Sequence, residues 1–146
     1  FIHEYKGEYP VIECRLGLTR RYGIVDVLTY TAKVVRHGRG IPTTREPVFR
    51  AYEIKTSKAD FYSKYKWSFH GDYNYFILPE SLAKEVEQDV PKHVGIYVYH
   101  PENPWKTRFV LYKKARKHNI TLSRSQLTHD FLVSASRDAR RHIANK

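Results

Sequence analysis

The chain holds one cysteine, Cys14, so no internal disulfide is available, and that usage suits a reducing cytoplasm. No apolar run approaches the roughly 20 residues a membrane-spanning helix needs, and no signal peptide is legible, so no membrane role is expected. Internal repeats and low-complexity tracts are missing. So are a Walker-type loop, G-x-G-x-x-G and G-x-S-x-G, which leaves nucleotide hydrolysis and serine chemistry without support. Neither C-x-x-C nor H-x-x-x-H occurs among Cys14 and the eight histidines, which argues against zinc.

What is present is core material and positive charge. Hydrophobic residues make up 41% and aromatics 14% of 146 residues, enough for one domain over 1–146. Lys and Arg number 26 against 15 acids, a net +11, which points to a polyanionic partner because each neutralised phosphate releases condensed counterions. Residues 105–146 hold eleven of these cations against Asp130 and Asp138; residues 1–104 are nearly balanced, at fifteen against thirteen. Nucleic acid is the expected partner, and a solvated basic tail or a membrane-surface patch is the plain alternative.

Hydrophobic periodicity predicts strands over 11–18 and 23–32, a basic loop between Tyr30 and Phe49 punctuated by Gly38, Gly40, Pro42 and Pro47, and a strand over 49–56. Ser57 and Asp60 form a capping box for a helix with Phe61, Tyr65 and Phe69 on one face, ending at Gly71. A strand over 73–78, a helix opened by Pro79 and stopped by Pro91, and an alternating strand over 93–99 follow. Residues 108–115 lean to strand. Ser123 caps a last helix striped by Leu127, Phe131, Ala135, Ala139 and Ile143. The fold class is α/β, a central mixed sheet flanked by helices with a basic helical C-terminal part.

Within the strand over 49–56, period-two geometry sends Glu53 and Lys55 to one face. Asp26 interrupts the apolar stretch Ile24-Val25-Asp26-Val27-Leu28, where a carboxylate is costly unless a cation or several donors meet it. Strands joined by one loop are natural neighbours, so Asp26 and Glu53 are expected to approach. Two carboxylates repel by about 4 kcal/mol at 4 Å and an effective dielectric near 20. A hard divalent cation, Mg²⁺ or Mn²⁺, turns that repulsion into binding. Lys55 then orients or deprotonates a water, or offsets charge on the phosphorane. The bland alternative is a polar Glu–Lys pair on an exposed sheet face.

Asp26 in one strand, Glu53-Ile54-Lys55 in the next and a capped helix after it resemble the PD-(D/E)xK nuclease superfamily. Residues 49–61, 71–79 and 91–98 look like its small phage and prophage members, a likeness covering 11–100. The resemblance implies a restriction-endonuclease-like αβββαβ core and metal-dependent hydrolysis of DNA by an endonuclease of phage or prophage type, serving DNA processing, recombination or repair. It implies Asp26 and Glu53 as metal ligands and Asp26, Glu53 and Lys55 as catalytic, with no small-molecule cofactor beyond the metal. Members often add a glutamate from the N-terminal part; Glu4 and Glu13 are candidates, and Glu13 is chosen because its strand would lie beside Asp26. Val25 stands where the motif has proline. Lys58, Lys64, Lys113, Lys114, Arg116, Lys117, Arg137, Arg140 and Arg141 are expected to contact nucleic acid, and a homodimer is compatible with the reading. The alternatives are a non-catalytic nucleic-acid-binding module that keeps the fold, and a structural phage protein or inhibitor of a host system.

Overall fold

Six strands hydrogen-bond into one mixed sheet in sequence order in the computed structural model, which describes residues 9–17, 22–63, 67–119 and 122–145. They are β1 (Tyr9–Arg15), β2 (Ile24–Val35), β3 (Thr44–Ile54), β4 (Tyr73–Pro79), β5 (Gly95–Tyr99) and β6 (Phe109–Lys113). Pairs β1–β2, β2–β3 and β5–β6 are antiparallel, while β3–β4 and β4–β5 are parallel. The helices are α1 (Lys58–Phe61), α2 (Glu80–Val86) and α3 (Arg124–Ala144). The chain is thus α/β, with a central mixed sheet. No helix among the described residues is long and apolar enough to cross a membrane, which says nothing of a β-barrel.

Helix α3 crosses the β1–β3 side of the sheet. Leu127 and Phe131 pack with Val11, Leu28 and Phe49, and the Phe131 ring lies 5.8 Å from Tyr30. The sheet's β4–β5 half packs Phe76, Leu78, Ile96 and Val98 against Leu82, Ala83 and Val86 of α2. The expected alternation in β5 is not seen in burial, because Gly95–Val98 are covered on both faces, as inner parallel strands are. The stripe on α3 also runs out early: Ala139 is exposed and Ile143 is 72% exposed, so the last two turns leave the sheet.

Two sequence-based expectations are corrected. The basic loop between Tyr30 and Phe49 is mostly strand: β2 continues to Val35, β3 begins at Thr44, and Ala32↔Pro47 to Val35↔Thr44 pair in register. Thr31, Val34 and Val35 favour extended backbone, and only the tip turns, through Gly38 (φ 114°) and Gly40 (φ 77°). Pro47 fits because β3 is an edge there, with β4 pairing only from Arg50 onward. The helix after Ser57 does not reach Gly71. Its α-helical part ends at Phe61, and Trp67 and Phe69 pack without helix against Phe61 and Phe76. Tyr65 lies outside the described residues. Gly71 belongs to a tight approach instead: a Cβ there would stand 2.9 Å from Ala51 N and from Tyr73 O.

Candidate active site

Antiparallel pairing of β2 with β3 runs to Val27↔Tyr52, so one step further brings Asp26 beside Glu53. The Asp26 Oδ2 accepts from the Ile54 N–H at 2.8 Å, which ties its carboxylate to the end of β3. Glu53 is 5% exposed and accepts from the Ser68 N–H at 3.2 Å. Its Ser68 partner is packed tightly in turn, since a Cβ on Gly23 would stand 2.4 Å from the Ser68 hydroxyl.

Burial pushes the Glu53 carboxyl up to about 7, and the charge of Asp26 with a hydrogen bond between the two side chains adds to the rise. The Ser68 N–H and the Lys55 ammonium pull the other way without cancelling it. Burial and the Asp26 charge thus oppose ionisation of Glu53, and a divalent cation between the two carboxyl groups would offset both.

Lys55 follows directly, with its N–H donating to Ile77 O at 3.1 Å and its side chain 12% exposed. Its Nζ lies 3.5 Å from Asp60 Oδ1. Ser57 caps α1 as expected, its Oγ accepting from the Asp60 N–H at 3.1 Å, while Asp60 Oδ2 accepts from the Thr56 N–H at 3.3 Å. One carboxylate thus serves the helix start and the ammonium. The capping spacing was legible; the reach back to Lys55 was not, because it depends on how the chain turns out of β3. The Ser68 contact was likewise invisible, since it depends on the path of a segment that carries no motif.

The other expected site residues make the following contacts. Glu13 lies in β1 beside β2, as expected, at the position across from Asp26 between the pairs Ile12↔Val27 and Cys14↔Val25. It has a positive φ (49°), its side chain is 65% exposed, and its carboxylate is 4.0 Å from Arg141. Among the described residues no three of His, Cys, Asp and Glu gather as a metal group, so Glu13 does not join Asp26 and Glu53. Glu4 and Lys64 lie outside the described residues. Lys58 pairs with Glu85 at 3.5 Å, and Lys113 Nζ donates to Pro91 O at 3.2 Å. Arg137 clamps β1 by donating to Ile12 O and, at 3.0 Å, to Glu13 O, so it is spent on structure. Lys114, Arg116, Lys117, Arg140 and Arg141 are exposed.

Comparison with known proteins found no match to any family model, curated protein or solved structure. The geometry therefore stands by itself. A hollow of about 490 Å³, lined by residues such as Ile12, Val27, Ile54, Ile77 and Phe109, holds no carboxylate or imidazole.

Proposed function

We propose that this chain is a divalent-metal-dependent DNA endonuclease with a restriction-endonuclease-like core, its reaction centred on Asp26, Glu53 and Lys55. The observation that carries the reading is the buried Glu53, in contact with the Asp26 carboxyl on the neighbouring strand and within electrostatic reach of Lys55. The donor set is all oxygen, which fits Mg²⁺ or Mn²⁺, ions that characteristically take one or two protein carboxylates and complete their shell with water and phosphate. When bound, such an ion supplies Lewis acidity and charge neutralisation at the phosphate.

The side chains supply the rest. Asp26 and Glu53 would hold such an ion, and Glu53, whose carboxyl is raised by burial, would have to lose its proton to do so. The Ile54 N–H fixes Asp26 and the Ser68 N–H fixes Glu53, which holds both carboxylates before the substrate arrives. Lys55 Nζ donates hydrogen bonds to the attacking water or to the phosphate oxygens as negative charge grows on them. Asp60 restrains where that ammonium points. Net charge of +11 draws the polyanion to the surface.

The test is an incubation of wild type, Glu53→Gln, Asp26→Asn and Lys55→Ala with supercoiled, linear, nicked and branched DNA, in Mg²⁺, Mn²⁺ or EDTA. Loss of a group that merely supports a metal ligand costs about 10–100-fold, so each substitution is expected to lower cleavage by at least ~100-fold while duplex binding persists. Wild-type cleavage by either Glu53→Gln or Lys55→Ala, or no metal-dependent cleavage of any substrate, sinks the proposal. Binding without cleavage would leave a nucleic-acid-binding module.

A further inference from the structure

The longest strands of the sheet continue past their neighbours. Among the described residues, β1 pairs with β2 only up to Tyr30 and β4 pairs with β3 only from Arg50, so 31–35 and 44–49 pair only with each other. The result is a two-stranded arm. It carries Lys33, Arg36, Arg39 and Arg45, all exposed, against one acid, Glu46, which lies directly across from Lys33. None of the four cations makes an ion pair among the described residues.

The arm is braced at both ends. At its base, Arg124 donates to Pro47 O at 2.8 Å and to Asp72 Oδ1 at 2.8 Å, while Asp72 accepts from the Phe49 N–H at 2.9 Å. Arg50 donates to the Thr31 hydroxyl at 3.1 Å. Near the tip, His37 and Thr44 side chains hydrogen-bond across the ribbon at 2.7 Å. Such bracing holds the cations in place before a ligand arrives, which lowers the ordering cost of binding.

We propose that this arm lies in the major groove of double-stranded DNA about one helical turn from the reacting phosphate, with Lys33, Arg36, Arg39 and Arg45 facing the backbone. The placement of the cut rests on the nuclease reading; the arm's grip on duplex does not. A B-form major groove is about 12 Å wide and admits a two-stranded ribbon, whereas the deep, narrow major groove of RNA does not. Ten residue-to-residue steps lead from Asp26 along β2 to Arg36, just past its end; at ~3.3 Å each they span about 33 Å, close to the ~34 Å of one duplex turn. The exposed Lys114, Arg116 and Lys117 come next to the arm's base, because the following residue, His118, donates its N–H to Asp72 O at 2.8 Å and Asp72 accepts from the Phe49 N–H.

Arg36→Glu/Arg39→Glu tests this, since both residues are exposed at the tip. Binding of wild type and variant is measured in EDTA by fluorescence anisotropy on duplex DNA of 24 and 8 base pairs and on 24-pair duplex RNA. On the long DNA the variant is expected to bind at least ~10-fold more weakly, with the log–log salt slope lowered by about 1.8, some 0.9 for each lost phosphate. On the 8-pair duplex the two should match. Wild type should protect guanine N7 from methylation about ten pairs from its cut, and the variant should not. Equal affinity and slope on the long DNA, an equal loss on the short duplex or on RNA, or no wild-type duplex binding overturns the inference. If the variant loses affinity as expected but wild type never cuts, the nuclease reading falls and the arm stands.

Discussion

Glu53 gives the site a pH signature. Its carboxyl, held at about 7 in the fold against 4.5 ordinarily, keeps a proton that the unfolded chain has already lost between those values. A raised acid makes stability fall as pH climbs through that window, and the loss is complete above it. At 1.36 kcal/mol per unit the total is about 3 kcal/mol at most. Glu53→Gln stays neutral throughout, so urea unfolding of metal-free protein should show it gaining roughly 2–3 kcal/mol on wild type between pH 4.5 and 8. Saturating Mg²⁺ at pH 8 should shrink that gain. A difference that does not move with pH would remove the claim that Glu53 is buried beside Asp26. At this scale the sequence was informative at Asp26, which stood out as the acid in an apolar strand and lies beside the end of β3, whereas Lys55, expected inside that strand, stands one residue past its end and pairs with Asp60. Glu13 does lie on the strand beside Asp26, but its positive φ and its approach to Arg141 were not legible, because single-residue backbone reversals leave no signal in hydrophobic pattern.

Among elements, the arm and its brace matter most. Asp72 is 1% exposed, and it accepts from the guanidinium of Arg124 and from the Phe49 N–H. Arg124→Ala leaves that carboxylate buried with its strongest donor gone. A buried acceptor losing a charged partner costs about 2–3 kcal/mol, the lower part of the buried-pair range because Arg124 is itself 46% exposed. Thermal unfolding should fall by roughly 4–12 °C in a chain of this length, and amide exchange should speed up first in the arm, whose base loses the bond to Pro47 O. An unchanged melting temperature with an equally protected arm would show that Asp72 is satisfied without Arg124. Most element types were readable from periodicity and caps, including Ser57 before α1 and Ser123 before α3. The arm was not, because Gly38, Gly40, Pro42 and Pro47 all signal a loop. Only pairing across the ribbon shows that two of these turn the tip while Pro47 rides an edge. The helix after Ser57 was overextended for a related reason. Phe61 and Phe69 do share a cluster, but residues 67–70 are not helical.

Across the whole molecule, the linear tally of charge and its placement in space differ. The surplus counted in 105–146 divides: Lys113 is held at Pro91 O, Arg108 at Asn103 O, Arg124 at Asp72 and Arg137 on β1. Lys106 is exposed, as are Arg140 and Arg141 on α3, and Lys114, Arg116 and Lys117 are exposed in one short segment. That segment crosses the end of the parallel strands where the arm begins, since the Arg116 N–H donates to His93 O at 2.9 Å and a Cβ on Gly95 would meet Ala115 N at 2.7 Å. Glu53 and Lys55 stand at the opposite end of β3, so on the proposed function these cations are expected to serve affinity and register rather than chemistry. Reversing all three to Glu should weaken duplex binding and flatten its log–log salt dependence by up to about 2.7, some 0.9 for each phosphate no longer neutralised. In a cleavage assay the loss should fall on KM rather than on turnover at saturating DNA, because a contact made equally in ground and transition states does not lower the barrier between them. Combined with charge reversal at Arg36 and Arg39, the two slope changes should add, as they do for sites that share no partner. An unchanged slope in the triple variant would turn this segment toward solvent or a protein partner, and a fall in turnover with KM constant would place it at the reacting phosphate instead.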